Sequence, residues 1–289
     1  MHEEGLEHVQ LKKMQQHFYW KCLNETLQEE EFTQVIRIDF AGLKMGPCEK
    51  WYELVGVEIL PNREEPKGKP VSKIRYEYNH FILPVEKKKT KAEEALEEVN
   101  IDQLDDAIAS AAKKDVDFTA KCLEQWMKRI LRPTTKRLLV FSDGGSADFK
   151  NSKFENFLLS YQIQVNENRN TKNELKIEHH IFAPNHGQGI CDTAHSHGAK
   201  KLKIWALEND KIIEKPNEVA SVIGSVKNHS AFVVFNDQAF EDVYTFTGIS
   251  QCYAFRFDST NAKVLGYENS ESKVVLKGWS PKPKVARKY

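Results

Sequence analysis

Apolar and polar positions along the chain first fall into strand-like runs. Val35-Ile36-Arg37-Ile38-Asp39-Phe40 is a short β-branched run closing on a carboxylate. Residues 51–60 mix apolar and polar positions and stop at Pro61. Residues 73–83 alternate, with Ile74, Tyr76, Tyr78, His80 and Ile82 on one face, and stop at Pro84. These patterns predict three strands, the last two joined by a Pro/Gly-containing loop over 62–70.

The pattern then changes period. Residues 87–114 are dominated by Lys, Glu, Ala and Asp with sparse apolar positions, which predicts a solvated, helical insertion at about 86–117. Cys122, Leu123, Trp126 and Ile130 sit near helical spacing over 118–131, ahead of Pro133. Arg137-Leu138-Leu139-Val140-Phe141 is the most strand-like run and delivers Ser142-Asp143-Gly144-Gly145. A helix over 150–161, a polar loop over 166–173, a strand over 176–183 and a helix from Asp192 to about 208 follow. Residues 1–34 read as an exposed, helical lead segment. The order β-β-β-α-β-α-β-α predicts an α/β domain over 35–215: an antiparallel hairpin sheet extended by parallel strands, with helices on both faces, in the RNase H-like arrangement. From 216 to 289 the pattern is β-rich and turn-punctuated, which predicts a small separate module ending in a basic tail (Lys282, Lys284, Arg287, Lys288).

Composition narrows the class. The chain has 289 residues, 40% hydrophobic and 29% charged, enough for a sizeable core and too apolar for a disordered chain. No run of about 18 apolar residues predicts a membrane span. The start of the chain lacks a basic, then apolar, secretory pattern. Five scattered cysteines without a CxxC pair predict reduced thiols in a nuclear or cytosolic, non-secreted protein. Lys and Arg total 42 against 42 Asp and Glu, so a case for nucleic acid must rest on local chemistry.

That chemistry lies in three carboxylates at element ends: Asp39, Asp143 and Asp192. In the expected fold, strands one and four are neighbours and the last helix crosses them, so the three acids converge. Converging carboxylates repel and are tolerated when a divalent cation neutralises them. Hard oxygen donors suit Mg²⁺ or Mn²⁺. Two such ions about 4 Å apart activate a water or 3′-hydroxyl and stabilise the leaving oxygen of a phosphodiester.

Two further runs carry a resemblance. Phe141-Ser142-Asp143-Gly144-Gly145 is followed by Phe149-Lys150-Asn151. His180-Ile181-Phe182-Ala183-Pro184-Asn185-His186-Gly187-Gln188-Gly189-Ile190-Cys191-Asp192 is followed by Lys200-Lys201. Together with Ile38-Asp39-Phe40-Ala41, they resemble the catalytic core of eukaryotic transposon-derived DDE/D transposases, in the RNase H-like and retroviral integrase superfamily. The resemblance covers roughly 35–210 and departs at Gly42-Leu43-Lys44 and at Thr193-Ala194-His195-Ser196-His197. It implies metal-dependent DNA cleavage and strand transfer by Asp39, Asp143 and Asp192 as catalytic metal ligands, with DNA as partner and a homo-oligomer as a possible assembly. A domesticated, inactive DNA- or protein-binding module is the alternative.

Other residues are weighed around that site. Lys150, Lys153, Lys200, Lys201 and Lys203 fall on the two flanking helices and are candidates for phosphate contacts. His186 either orients the loop before Asp192 or touches a phosphate. Gly144, Gly145, Gly187 and Gly189 shape the two loops and let DNA approach closely. His179, His180, His186, His195 and His197 near Cys191 suggest zinc, but His195 and His197 cannot share a helix face and the spacing is no recognised closed site. Residues 142–145 fit neither a nucleophile elbow nor a P-loop. Cys191 reads as a buried spacer thiol beside the third acid rather than as a nucleophile.

Overall fold

The structure, a computed structural model, describes residues 3–28, 33–44, 50–61, 74–83, 116–144, 149–170, 173–182, 189–211, 213, 215–234 and 246–280. In chain order these form α1 (Glu3–Gln28), β1 (Thr33–Lys44), β2 (Lys50–Pro61), β3 (Ile74–Leu83), α2 (Val116–Ile130), β4 (Arg137–Ser142), α3 (Ser152–Glu167), β5 (Lys176–Ile181), α4 (Ile190–Asn209), α5 (Pro216–Gly224) and β6 (His229–Val233). A 3₁₀ turn (Ile249–Gln251), β7 (Ala254–Asp258), β8 (Lys263–Tyr267) and β9 (Lys277–Trp279) follow. The fold is α/β. One mixed sheet of nine strands runs β6-β3-β2-β1-β4-β5-β7-β8-β9, and helices cover both of its faces.

Registers explain the two faces. Val35, Arg37 and Asp39 of β1 alternate with Ile36, Ile38 and Phe40, so each set points to one side. Ile36 and Ile38 join Leu54, Phe81, Leu138 and Val140 in a core sealed by α2 and α3. There Gly56 admits the Trp126 ring of α2, since a Cβ at that position would stand 2.5 Å from it. On the other side Val35, Val55, Val57, Leu139 and Phe141 meet Phe18, Tyr19, Cys22 and Leu23 of α1 and Cys191 and Ala194 of α4.

Residues 3–28 are helical as expected, but they are not an exposed lead. The side chains of residues 18, 19, 22 and 23 recur at helical spacing and close one sheet face. Gln15 also donates to the Tyr253 carbonyl at 3.3 Å and accepts from Ser270 Oγ, tying α1 to the C-terminal strands.

The C-terminal strands likewise form no separate module. β6 pairs in parallel with β3, and β7 pairs antiparallel with β5, so they extend the same sheet at both ends. A five-strand sheet leaves unpaired backbone groups at each edge, and these strands satisfy them. Local alternation reveals a strand but not which sheet it joins. Glu178 of β5 holds the join, pairing with Arg137 of β4 at 2.6 Å and Arg256 of β7 at 3.2 Å. The insertion at about 86–117 lies outside the described residues apart from 116–117, which open α2; the tail over 281–289 also lies outside. Among the described residues, the four cysteines are buried free thiols, and no helix is long and apolar enough to cross a membrane.

Candidate functional site

β1 is longer than the sequence pattern suggests, and Asp39 sits within it rather than at its end. The chemistry follows from where β4 stops. The parallel pairing of β1 with β4 ends at Ile38 against Ser142, so the next step of the register sets Asp39 beside Asp143. Adjacent strands lie about 4.8 Å apart, and alternation turns both acids to the face that carries α4. Asp192 enters from the first turn of that helix, where its Oδ2 accepts the Gly189 N–H at 2.8 Å. Burial, and next the charge of Asp143, push the Asp39 carboxyl up to about 7; Asp192 adds to the rise, while the Phe40 N–H and Arg37 oppose it. The three acids therefore share one electrostatic neighbourhood.

Arg37 is the counter-charge that sequence reasoning missed. It is buried two residues before Asp39 on the same face, with its guanidinium 4.6 Å from the Phe182 ring centroid. Gly189 lets it in, because a Cβ there would stand 2.8 Å from Arg37 Nη1. The signal was a lone cation at alternating spacing from Asp39 in an otherwise apolar run. Cys191 is buried beside the cluster, and burial raises its thiol far above the ordinary range, which suits a packing role rather than a nucleophile.

The lysines divide. Lys150 is buried: its ammonium donates to the Ser250 carbonyl at 2.7 Å, stands 3.5 Å from the Tyr253 ring centroid, and is pushed down to about 8 by burial. Lys153 pairs with Asp117 at 2.7 Å. Lys200 and Lys203 are exposed and share a face of α4, with Lys201 half-buried between them. Gly144 is half-buried just past β4, while Gly145, His186 and Gly187 lie outside the described residues.

Of the histidines weighed for zinc, His179, His180 and His195 do not converge. Adjacent strand residues face opposite ways, so His179 points to the α3 side and His180 to the α1 side. His179 bridges Ser142 Oγ and Glu155 Oε1, at 2.8 Å each, with all three side chains inside the core. His180 Nδ1 lies 3.0 Å from Ser270 Oγ. His195 Nδ1 lies 2.5 Å from Glu53 Oε2. Glu53 also meets His80 Nδ1 through Oε1, and His80 Nε2 lies 2.7 Å from His229 Nδ1. Glu53, His80 and His229 were not singled out from the sequence. Two of them sit in runs read as ordinary strands, and their pairing is visible only once β2, β3 and β6 are side by side. Among the described residues, no group of three or more His, Cys, Asp or Glu side chains stands ready to hold a metal ion.

Fold and site together define an α/β protein whose mixed sheet carries an acidic cluster where its central strands part. The family model that matches it spans residues 89–251, more than half the chain, so the chain belongs to the family described as a domain of unknown function, DUF8701. The matched segment contains Asp143, Glu155, His179, Asp192, His195 and His229, whereas Asp39, Glu53 and His80 precede it. A search of curated proteins and a search of solved structures each found no match.

Proposed function

We propose that the chain is an RNase H-like core of the DDE/D transposase type, performing divalent-metal-dependent DNA phosphodiester cleavage and strand transfer at Asp39, Asp143 and Asp192. The observation that carries this reading is the juxtaposition of Asp39 with Asp143 at the end of the β1–β4 pairing, with Asp192 near enough to add to the rise of Asp39. The hairpin sheet of β1 to β3, extended by parallel β4 and β5 with helices on both faces, supports the fold half of the reading.

The donor types suit a hard cation. Three carboxylates offer oxygen ligands only, and burial first, then the charge of Asp143, raises Asp39 against the opposing pull of Arg37. The residues that would hold Mg²⁺ or Mn²⁺ are Asp39, Asp143 and Asp192, the last at the expense of its bond to the Gly189 N–H. When bound, such an ion polarises the phosphodiester and lowers the pKa of attacking water. The protein's own part is positional. The β1–β4 register sets two acids side by side, α4 supplies the third, and Lys200 and Lys203 offer phosphate contacts along the same helix.

Nicking of supercoiled plasmid by the full chain tests the reading. Wild type should nick with Mn²⁺ and not with EDTA, and Asp143→Asn should bring nicking below detection. A second reading, a catalytically silent DNA- or protein-binding module, is favoured by the cap bond of Asp192 and by the lack of a closed ligand set among the described side chains. Wild type that neither nicks DNA nor gains thermal stability from Mn²⁺ would establish it.

A further inference from the structure

A second polar cluster lies under α4, on the same sheet face as the acids. Glu53 of β2 pairs in register with Ala41, two residues beyond Asp39 on β1. Its side chain is fully buried between His80 of β3 and His195 of α4, which takes its two oxygens one each. His195 follows Asp192 by three residues, so the two share a helix face, and the charge of Asp192 reaches the His195 ring.

Proton accounting fixes the roles. Burial alone would raise the Glu53 carboxyl, but the hydrogen bonds from His195 and His80 outweigh it and hold Glu53 below the usual range. An ionised carboxylate only accepts, so both rings carry a proton on Nδ1. His80 Nε2 meets His229 Nδ1 at 2.7 Å, and burial, with the charges of His80 and His197, pushes the His229 ring down to about 4. Both Nδ1–H bonds end on Glu53. Of the two rings on Glu53, His195 has a route outward: its side chain is 24% exposed, and among the described residues its Nε2 makes no hydrogen bond. A buried carboxylate holding Nδ1–H sets the ring's tautomer and orientation and leaves Nε2 as the exchanging nitrogen.

We propose that His195, held by Glu53, is the proton-transfer residue of the acid site, with Glu53 as its positioning residue. The proposal rests on the reading of that site as one acting on a phosphodiester. In the step, the attacking water oxygen forms the new P–O bond while the scissile P–O bond breaks, its electron pair going to the leaving oxygen. Nε2 of protonated His195 gives its proton to that oxygen, the attacking water loses one proton to solvent, and solvent reprotonates the ring. The sum is addition of water across the P–O bond. The titratable groups that act on His195 are Glu53 on β2 and Asp192 on its own helix; His80 on β3 shares Glu53 with it, and His229 on β6 and His197 lie beyond His80.

The test uses the full chain, Mn²⁺ and plasmid DNA between pH 5.5 and 8.5, with Asp143→Asn as control. His195→Ala is expected to slow nicking about 10²-fold. It should leave DNA affinity unchanged and remove the limb of the pH–rate profile on which activity falls as the ring deprotonates. Glu53→Gln should move that limb to lower pH, and NMR titration of the His195 ring, which needs no catalysis, should show its midpoint falling from above the ordinary range. If wild type nicks, Asp143→Asn does not, and His195→Ala keeps rate and profile within about twofold, the proposal is overturned while the site reading stands. An unmoved His195 midpoint in a folded Glu53→Gln chain also overturns it. No nicking by wild type removes the site reading, and the proton-transfer role goes with it.

Discussion

Two of the sheet's histidine–carboxylate pairs, Glu155–His179 on one face and Glu53–His195 on the other, differ in what surrounds them. On the α3 side, Glu155, His179 and Ser142 form a chain with no exposed member, and among the described residues Glu155 Oε2 has no hydrogen-bond partner. Burial raises the Glu155 carboxyl, and His179 opposes it. On the α4 side, Glu53 has both oxygens filled and is held low, while the pair reaches the surface through His195. The same residue types thus make a sealed strut in one place and a candidate proton route in the other. Access, not identity, separates them. The sealed chain resembles a nucleophile–histidine–acid triad on paper, but Ser142 is buried and donates to the Asp143 carbonyl, where it steadies the end of β4.

The largest expected effect tests the sealed side. Glu155→Ala leaves His179 without its partner in the core and should destabilise the chain by about 3–5 kcal/mol in urea unfolding at pH 7. Glu53→Ala should cost less, about 1–3 kcal/mol, because water reaches the His195 end. Equal losses would erase the distinction between the two pairs. Next comes Asp39, whose folded value of about 7 lies above its ordinary 3.8. Between those values the folded state binds more protons than the unfolded state, so this group's contribution to stability falls as pH rises from about 4 to about 7. The Glu53–His195 pair runs the other way at its two ends. Its contribution is present between the ordinary carboxylate and imidazole ranges, and is lost as pH falls through the lowered Glu53 value or rises through the raised His195 value. Asp39→Asn should therefore stabilise the chain at pH 8 by on the order of 2 kcal/mol and flatten the slope between pH 4 and 7, as Mn²⁺ should at pH 8. Differential scanning calorimetry across pH would read both. The smallest effect concerns the seat of α4. Gly198 faces His80 and Ile223, and an added Cβ would meet them at 3.6 and 3.5 Å, ordinary contacts. Gly198→Ala should thus gain up to about 1 kcal/mol from helix propensity. A large loss would mean that α4 fits Glu53 and His80 more tightly than the contacts indicate.

Much of this was legible in the sequence because the relevant signals are local. The α/β order, the end of β4 and the position of Asp143 just past it follow from apolar periodicity and turn residues, whereas β1 runs on past Asp39 to Lys44. Arg37 was legible in principle, as a cation two places from Asp39 in a β-branched run. The Glu53–His80–His229–His195 network was not, because its members come from three strands and a helix separated by up to 149 positions in sequence between hydrogen-bonded residues. Nothing in the alternation of 73–83 distinguishes His80 from its neighbours Tyr78 and Ile82. The burial of Lys150 was hidden for the same reason, since its acceptor Ser250 lies 100 residues away. The joining of β6 and β7 to opposite ends of one sheet is a choice of partner, which strand propensity does not encode.

That joining has a consequence for how the chain reaches its native state. β6 pairs with β3, and β7 with β5, so both flanks of the five central strands are closed by segments from the last quarter of the chain. Pairings that distant in sequence carry a large loop-closure cost and slow folding. During synthesis the central strands emerge first and must wait with open flanks. At about 5–20 residues per second, the interval between the emergence of β5 and that of β7 lasts seconds. A ribosome stalled before β6 should hold a sheet that is open on both sides and prone to pair with a neighbouring chain.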